Sequence, residues 1–250
     1  MGQLVLAYHG CDISTRDALI RGDIKSLNQS ANSYDWLGKG IYMFLDDPER
    51  ALKLATFAAQ NPDKLLTKRP IVRPSVVGCI LDVDRWLDLS TENGRKHFQT
   101  GVTSLKEAAA VARAKDNSNY EFPTNKPAFE GDQDILHRAY DCAVCNMIHA
   151  ARDIAHTKAI ESGNVKKIHD TMPFQATRSI FEQGESVEGS RIYDGSHTQI
   201  SVRSEECIKG WFLIRGEKLQ DEVEYKQSKE LVALAIEKKT SSKARIRAIS

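Results

Sequence analysis

The sequence predicts an α+β fold, and three observations carry that prediction. Short apolar runs (QLVLAY, GIYMFL, VVGCILDVD, QISVR and GWFLI) are spread along the whole 250-residue chain. Helical periodicities cluster in the middle instead of alternating strictly with those runs. Irregular polar stretches separate the elements, and no internal repeat or low-complexity linker divides the chain. One domain over residues 1–250 is expected.

Residues 3–8 read as a buried strand ending at His9-Gly10. A cap at Ser14 or Thr15 opens a short helix through Ile20 that stops near Gly22. Residues 23–37 are polar and loop-like, and 40–45 form a second strand. Asp47-Pro48 has the N-cap and first-turn chemistry of a helix. That helix runs to about Gln60 with Ala51, Leu54, Ala55 and Ala58 on one face. The Pro-rich break KRPIVRPS precedes a strand over 76–84. Ser104, with Glu107 three residues on, predicts the start of a helix over 104–115. Residues 116–131 read as a polar loop, and Asp132 to about Ser162 as a long amphipathic helix with one break at most. A loop-rich stretch to about 198, strands at 199–203 and 210–214, and a terminal helix near 228–238 complete the chain.

Composition narrows the function classes. The chain is 41% hydrophobic and 28% charged, as expected of a soluble globular protein. A net charge of +1 carries no global signature of a nucleic-acid or membrane-surface binder, although a local basic groove stays open. The basic stretch KKTSSKARIRAIS reads as a solvated end. No run approaches the roughly 18–20 apolar residues of a membrane span. The opening MGQLVLAYHG reads as a strand, not a cleavable leader, and Leu6 stands where a myristoylation signal needs Ser or Thr. Five cysteines without framework spacing suit a reducing compartment. The expectation is a cytoplasmic protein with no membrane partner.

Two chemistries are set aside. Cys142 and Cys145, with His137 and His149 nearby, suggest zinc or redox chemistry, but a second ligand pair at finger spacing is missing. On a helix Cys142, Cys145 and His149 fall on one stripe, which reads as a buried face, so no metal is expected. A serine hydrolase would need a G-x-S-x-G elbow, which the chain lacks.

The stretch Leu37-Gly38-Lys39-Gly40-Ile41-Tyr42 raises the question of a phosphate loop. Met43 stands where the third glycine of a dinucleotide fingerprint would be, and the glycines precede the strand instead of following it. A Walker loop is absent too. Alone, the stretch reads as a turn into a strand.

Beside it stand Tyr8-His9-Gly10 at the first strand and Thr198-Gln199-Ile200-Ser201-Val202 at a late one. This ordered trio resembles the ADP-ribosyltransferase superfamily, in the branch marked by His, Tyr and then Glu or a substitute. Diphtheria-type toxins and the catalytic domains of poly(ADP-ribose) polymerases belong to that branch. The resemblance rests on about thirty residues at three places and implies an ADP-ribosyltransferase-like split β-sheet core. A helical insertion of about 62–170 and an acceptor-recognition loop of about 172–197 would decorate it.

The resemblance implies cleavage of the nicotinamide–ribose bond of NAD, used as co-substrate, and transfer of ADP-ribose to an acceptor through an oxocarbenium-like ribose. It puts His9 on the adenosine ribose, lets Gly10 and Gly40 bring backbone close to the nicotinamide, and stacks Tyr42 on its ring. Read alone, His9 is a strand-end histidine with an ordinary hydrogen bond and Tyr42 a core aromatic. Gln199 departs from the family's glutamate: it can bond the ribose but cannot act as a general base. Mono-ADP-ribosylation, or catalytic silence, therefore comes forward over chain elongation. His197 is the nearest base, with Glu182, Glu185 and Asp194 as others. In the 172–197 loop, Arg178 and Arg191 are interleaved with Phe174, Phe181 and Tyr193. That mixture suits a nucleic-acid base (RNA or DNA), a protein side chain, or a plain apolar anchor. Arg178 and His197 are the acceptor-binding candidates.

By analogy the expected role is a toxin of a toxin–antitoxin or phage-defence system, with an antitoxin or chaperone as possible partner. The rival readings are a catalytically silent module binding NAD or ADP-ribose, and an NAD-dependent RNA 2′-phosphotransferase relative.

Overall fold

The computed structural model describes residues 2–62, 67, 69–115, 121–127 and 134–249, with side chains up to residue 240. Its elements are mixed α and β. In chain order they are β1 (Gln3–Asp12), α1 (Ile13–Arg21), β2 (Ile41–Leu45), α2 (Pro48–Gln60), β3 (Pro74–Val83), β4 (Trp86–Asp88) and α3 (Glu92–Ala114). There follow β5 (Asn125–Lys126), β6 (His137–Arg138), α4 (Ala139–Glu161), α5 (Val165–Thr171), β7 (Ala176–Phe181), β8 (His197–Val202), β9 (Ile208–Phe212) and α6 (Glu222–Ile249).

The chain divides into two compact units. The first comprises Met1–Gln3, Asn28–Tyr42 and Asp82–Cys207; the second comprises Leu4–Leu27, Met43–Leu81 and Ile208–Ser250. Within β2, Ile41 and Tyr42 belong to the first unit and Met43–Leu45 to the second.

In the first unit the strand order is β4-β7-β8-β2. Strand β4 runs parallel to β7, and β7 pairs antiparallel with β8 in a register that sets Ser179 opposite Gln199 and Phe181 opposite His197. Helices α3 and α4 close a core of Leu87, Leu105, Val144, Ile148 and Phe174. Burying each such side chain contributes about 1.5–3 kcal/mol. A polar seam runs beside that core. Arg203 Nη1 donates to His149 Nδ1 (3.1 Å), so the imidazole proton sits on Nε2, which faces Thr177 Oγ1 at 2.9 Å. Burial, followed by the charges of Arg203 and Arg152, pushes the His149 imidazole down to about 3.

In the second unit the order is β2-β1-β3-β9, with Tyr8 opposite Phe44 and Gly78 opposite Phe212. Its apolar clusters centre on Cys11, Leu19 and Val77 and on Phe44, Ala51 and Val76. Arg16 is 1% exposed and satisfied on every side: it pairs with Asp17 and Glu217, and it donates to Ser75 Oγ and the Lys218 carbonyl. Asp12 joins two segments. One carboxylate oxygen takes the Ser14 N–H (2.9 Å), and the other takes the Val72 and Arg73 N–H groups (2.9 and 2.8 Å).

Several sequence expectations shift. The cap of α1 is Asp12, not Ser14 or Thr15, because its carboxylate reaches the first-turn donors and its backbone is extended. Helix α2 starts at Pro48 as expected, but Leu54 is 37% exposed while Ala51, Ala55 and Ala58 are buried. Helix α3 begins at Glu92, capped by Thr91, and Ser104 lies inside it. Its Gly101 looks like a breaker in sequence, yet a Cβ there would overlap Ile148 of α4, so glycine serves close helix packing. Helix α4 starts at Ala139; Asp132 and Gln133, the expected start, lie outside the described residues. Most of the expected 116–131 loop also lies outside them; the part described carries β5, paired with β6. The expected 62–170 insertion also carries β3 and β4, so its helical part begins at Glu92. The terminal helix is longer than 228–238, opening at Glu222 behind Asp221, whose carboxylate takes the Val223 and Glu224 N–H groups. Side chains of the basic end beyond Thr240 lie outside the described residues.

Candidate functional site

The segment Trp36–Tyr42 is organised by the Tyr42 hydroxyl. It accepts the Leu37 N–H (2.9 Å) and donates to the Gly38 carbonyl (2.9 Å). Burial, helped by the Asp35 charge, pushes the Tyr42 phenol well above its ordinary value and keeps it a donor. Gly38 sits at φ 80°, in the left-handed region that favours glycine, and Lys39 N–H donates to Asn146 Oδ1 at 3.0 Å. The expected turn into a strand is thus present, closed by a tyrosine from the strand it leads to.

The second glycine has a different cause. A Cβ on Gly40 would overlap Ser201 Oγ and the Val202 carbonyl of β8. Gly10, in the second unit, would overlap the Ala51 carbonyl of α2. Both glycines are required by the protein's own packing. Strand β1 continues to Asp12, so His9 and Gly10 lie within it and not at its end, with His9 part-buried.

Tyr42 packs against the cluster of Trp36, Leu37 and Phe181, together with Leu89 and Leu136. This cluster carries Gln199. Trp36 Nε1 lies 2.7 Å from Gln199 Oε1, Gln199 Nε2 lies 2.8 Å from His197 Nε2, and His197 Nδ1 lies 2.8 Å from the Gly195 carbonyl. The aromatic rings are ordered about this line. Phe181 stacks on His197 (5.4 Å, 20°) and meets Trp36 edge-on (5.2 Å, 75°). The Arg138 guanidinium lies 3.9 Å from the Phe181 centroid and 5.0 Å from that of Trp36, with Nε–H donating to the Ile135 carbonyl. Burial pulls this guanidinium down from its ordinary value, while Asp141, Glu182 and Asp134 act to hold its charge.

Gln199 and His197 therefore come together with Tyr42 in the first unit, and His9 and Gly10 are placed in the second. Arg178 does not join the cluster. In β7 it stands opposite Ile200, one position from the Ser179–Gln199 pair, so it projects from the other face of the sheet. There its Nε–H donates to Asp88 Oδ2 (2.8 Å) and its guanidinium lies over Trp86 (4.5 Å). Burial would raise the Asp88 carboxyl, but hydrogen bonds from Ser90 and Arg178 and the Arg178 charge hold it below its ordinary value. Within the expected 172–197 loop, Ala176–Phe181 is strand β7. The remainder is a turn in which Asp194 accepts the Glu185 N–H (3.0 Å), with Glu182, Glu185 and Arg191 exposed.

Trp36 and Arg138 are the residues sequence reasoning missed. A tryptophan inside the polar stretch 23–37 was the available signal; for Arg138 there was none. The Cys142 and Cys145 thiols are buried and pushed up, Cys142 to about 11, and all five cysteines are free. Among the described residues, no group of three or more His, Cys, Asp or Glu is arranged to hold a metal ion, and no helix is long and apolar enough to cross a membrane. No protein-family model, curated protein or solved structure matches the chain.

Chemically, the cluster offers an amide held by two partners, an aromatic wall and a nearby guanidinium. The amide retains one N–H and one carbonyl lone pair for a ligand. Such a set can orient a polar ring substituent; with no carboxylate at position 199, it does not provide a base there.

Proposed function

We propose that the protein is an NAD-dependent mono-ADP-ribosyltransferase. The observation that supports this reading best is the convergence of two separate motifs on one cluster: Tyr42 packs against the cluster of Trp36, Leu37 and Phe181, and Trp36 holds Gln199. In this reading Tyr42 supports the nicotinamide ring, Gln199 bonds the nicotinamide ribose, and His9, with the Gly10 and Gly40 backbone, contacts the dinucleotide. Fixing the ribose lowers the cost of reaching the oxocarbenium-like state. The acceptor is a nucleic-acid base or a protein side chain, met by the exposed Arg191 and Tyr193 beyond β7. The role as a toxin of a toxin–antitoxin or phage-defence system belongs to the same proposal and rests on the resemblance alone.

A second reading has its own support. Gln199 is bonded on both sides of its amide and carries no charge, which suits a module that binds NAD or ADP-ribose without turning it over. Incubation of the pure protein with isotope-labelled NAD and separate protein, RNA and DNA pools divides the two. Label on one pool with release of nicotinamide supports the enzyme, and His9→Ala and Tyr42→Ala should each abolish it. Tight NAD binding without nicotinamide release supports the module, and neither binding nor release overturns both.

A further inference from the structure

The geometry points to Trp36 and His197 as positioning residues that set the orientation of the Gln199 carboxamide. This deepens the reading proposed above, because the amide they set is the one assigned to the ribose. An indole N–H only donates, so the atom 2.7 Å from Trp36 Nε1 is the amide oxygen. The amide nitrogen then faces His197 Nε2 at 2.8 Å, and since it only donates, Nε2 carries the lone pair. The single imidazole proton is left on Nδ1, facing the Gly195 carbonyl, which only accepts. One proton arrangement satisfies all three links.

Two consequences follow for the chemistry. His197 is a neutral acceptor that holds Gln199, so its Nε2 lone pair is committed to the amide and not offered to an incoming nucleophile. Gln199, fixed at both ends, presents its remaining N–H and carbonyl lone pair in one orientation, with no rotation of the amide available. The scaffold behind the line is rigid as well: His197 is 6% exposed, stacked on Phe181, and Phe181 is covered by Arg138. A glutamate at 199 would reverse one link. Its carboxylate would still accept from Trp36 but would need a proton on His197 Nε2, making an ion pair in place of a free base.

The test begins with nitrogen-15 imidazole NMR on the full-length protein at neutral pH, which needs no turnover. His197 is expected as the Nδ1–H tautomer, changing to the doubly protonated form in Gln199→Glu. An Nε2–H tautomer in the wild type would overturn the proposal whatever the protein does with NAD. With NAD, Trp36→Phe should lower kcat for nicotinamide release by about 100-fold with KM moved much less, the pattern of a misplaced group. His197→Gln, which keeps an acceptor near the Nε2 position, should retain most activity, whereas His197→Leu should match Trp36→Phe. Unchanged kcat in Trp36→Phe, or equal losses in His197→Gln and His197→Leu, would refute the positioning roles. Absence of turnover in the wild type would count against the transferase reading alone, with the tautomer still deciding the arrangement.

Discussion

Acid should destabilise the protein through His149 of the first unit, by an amount the structure sets. This imidazole is 2% exposed and neutral, with Nδ1 taking a proton from Arg203 and Nε2 facing Thr177. Burial and the flanking guanidinium groups push it down to about 3, against 6.5 when unperturbed. Above the unfolded value His149 is neutral in both states and adds no pH dependence. Between the two values the unfolded chain binds a proton that the folded chain does not, so stability falls as pH falls, by about 1.4 kcal/mol per unit. Integrated, the loss is about 2 kcal/mol at about pH 5 and about 3 kcal/mol at about pH 4, levelling off below about pH 3. His149→Gln keeps an amide able to donate and accept but removes the titration. Urea unfolding of both proteins from about pH 7.5 to about pH 4 gives the difference in stability directly. The wild-type advantage should shrink by about 2 kcal/mol on reaching about pH 5. A difference that stays constant across this window would refute the reasoning.

Three further outcomes are expected. Arg16→Met leaves the fully buried Asp17 carboxylate without its guanidinium and should cost about 3–5 kcal/mol in urea unfolding, whereas Arg16→Met with Asp17→Leu should recover much of it. Tyr42→Phe removes the hydroxyl that joins the Leu37 N–H to the Gly38 carbonyl; a loss of about 1–3 kcal/mol by thermal melting is expected, and none would show the turn closes without it. Gly40→Ala drives a methyl into Ser201 and Val202 and should destabilise the NAD-free protein by about 1–3 kcal/mol. Wild-type stability in that variant would show that packing does not require the glycine.

Legibility varied with how local each signal was. Helix α2 was readable because Asp47, Pro48 and the alanine spacing all lie within one stretch of chain. Strand β7 was not, because Ala176 and Thr177 are both buried while Ile180 is 55% exposed, so the alternation that marks a strand is missing. Its other signal is pairing with β4, some ninety residues earlier, which no window of sequence contains. The true start of α3 was missed because Ser104 and Glu107 imitate a capping box at positions that lie inside the helix, whose cap is Thr91. Arg178 looked available for an acceptor until pairing with β8 put it on the face away from Gln199.

By itself the sequence determined the mixed α+β class, the places of most principal elements and the residue types at the three motifs, since these follow from periodicity, caps and turn chemistry. The tertiary structure decided what those residues touch. Trp36 and Gln199 are 163 positions apart, and only folding brings the indole N–H to the amide. The tryptophan stands out in its polar stretch, but its pairing with a residue so far away leaves no mark in local sequence. The orientation of Gln199 is therefore a property of the fold, while its identity is a property of the chain.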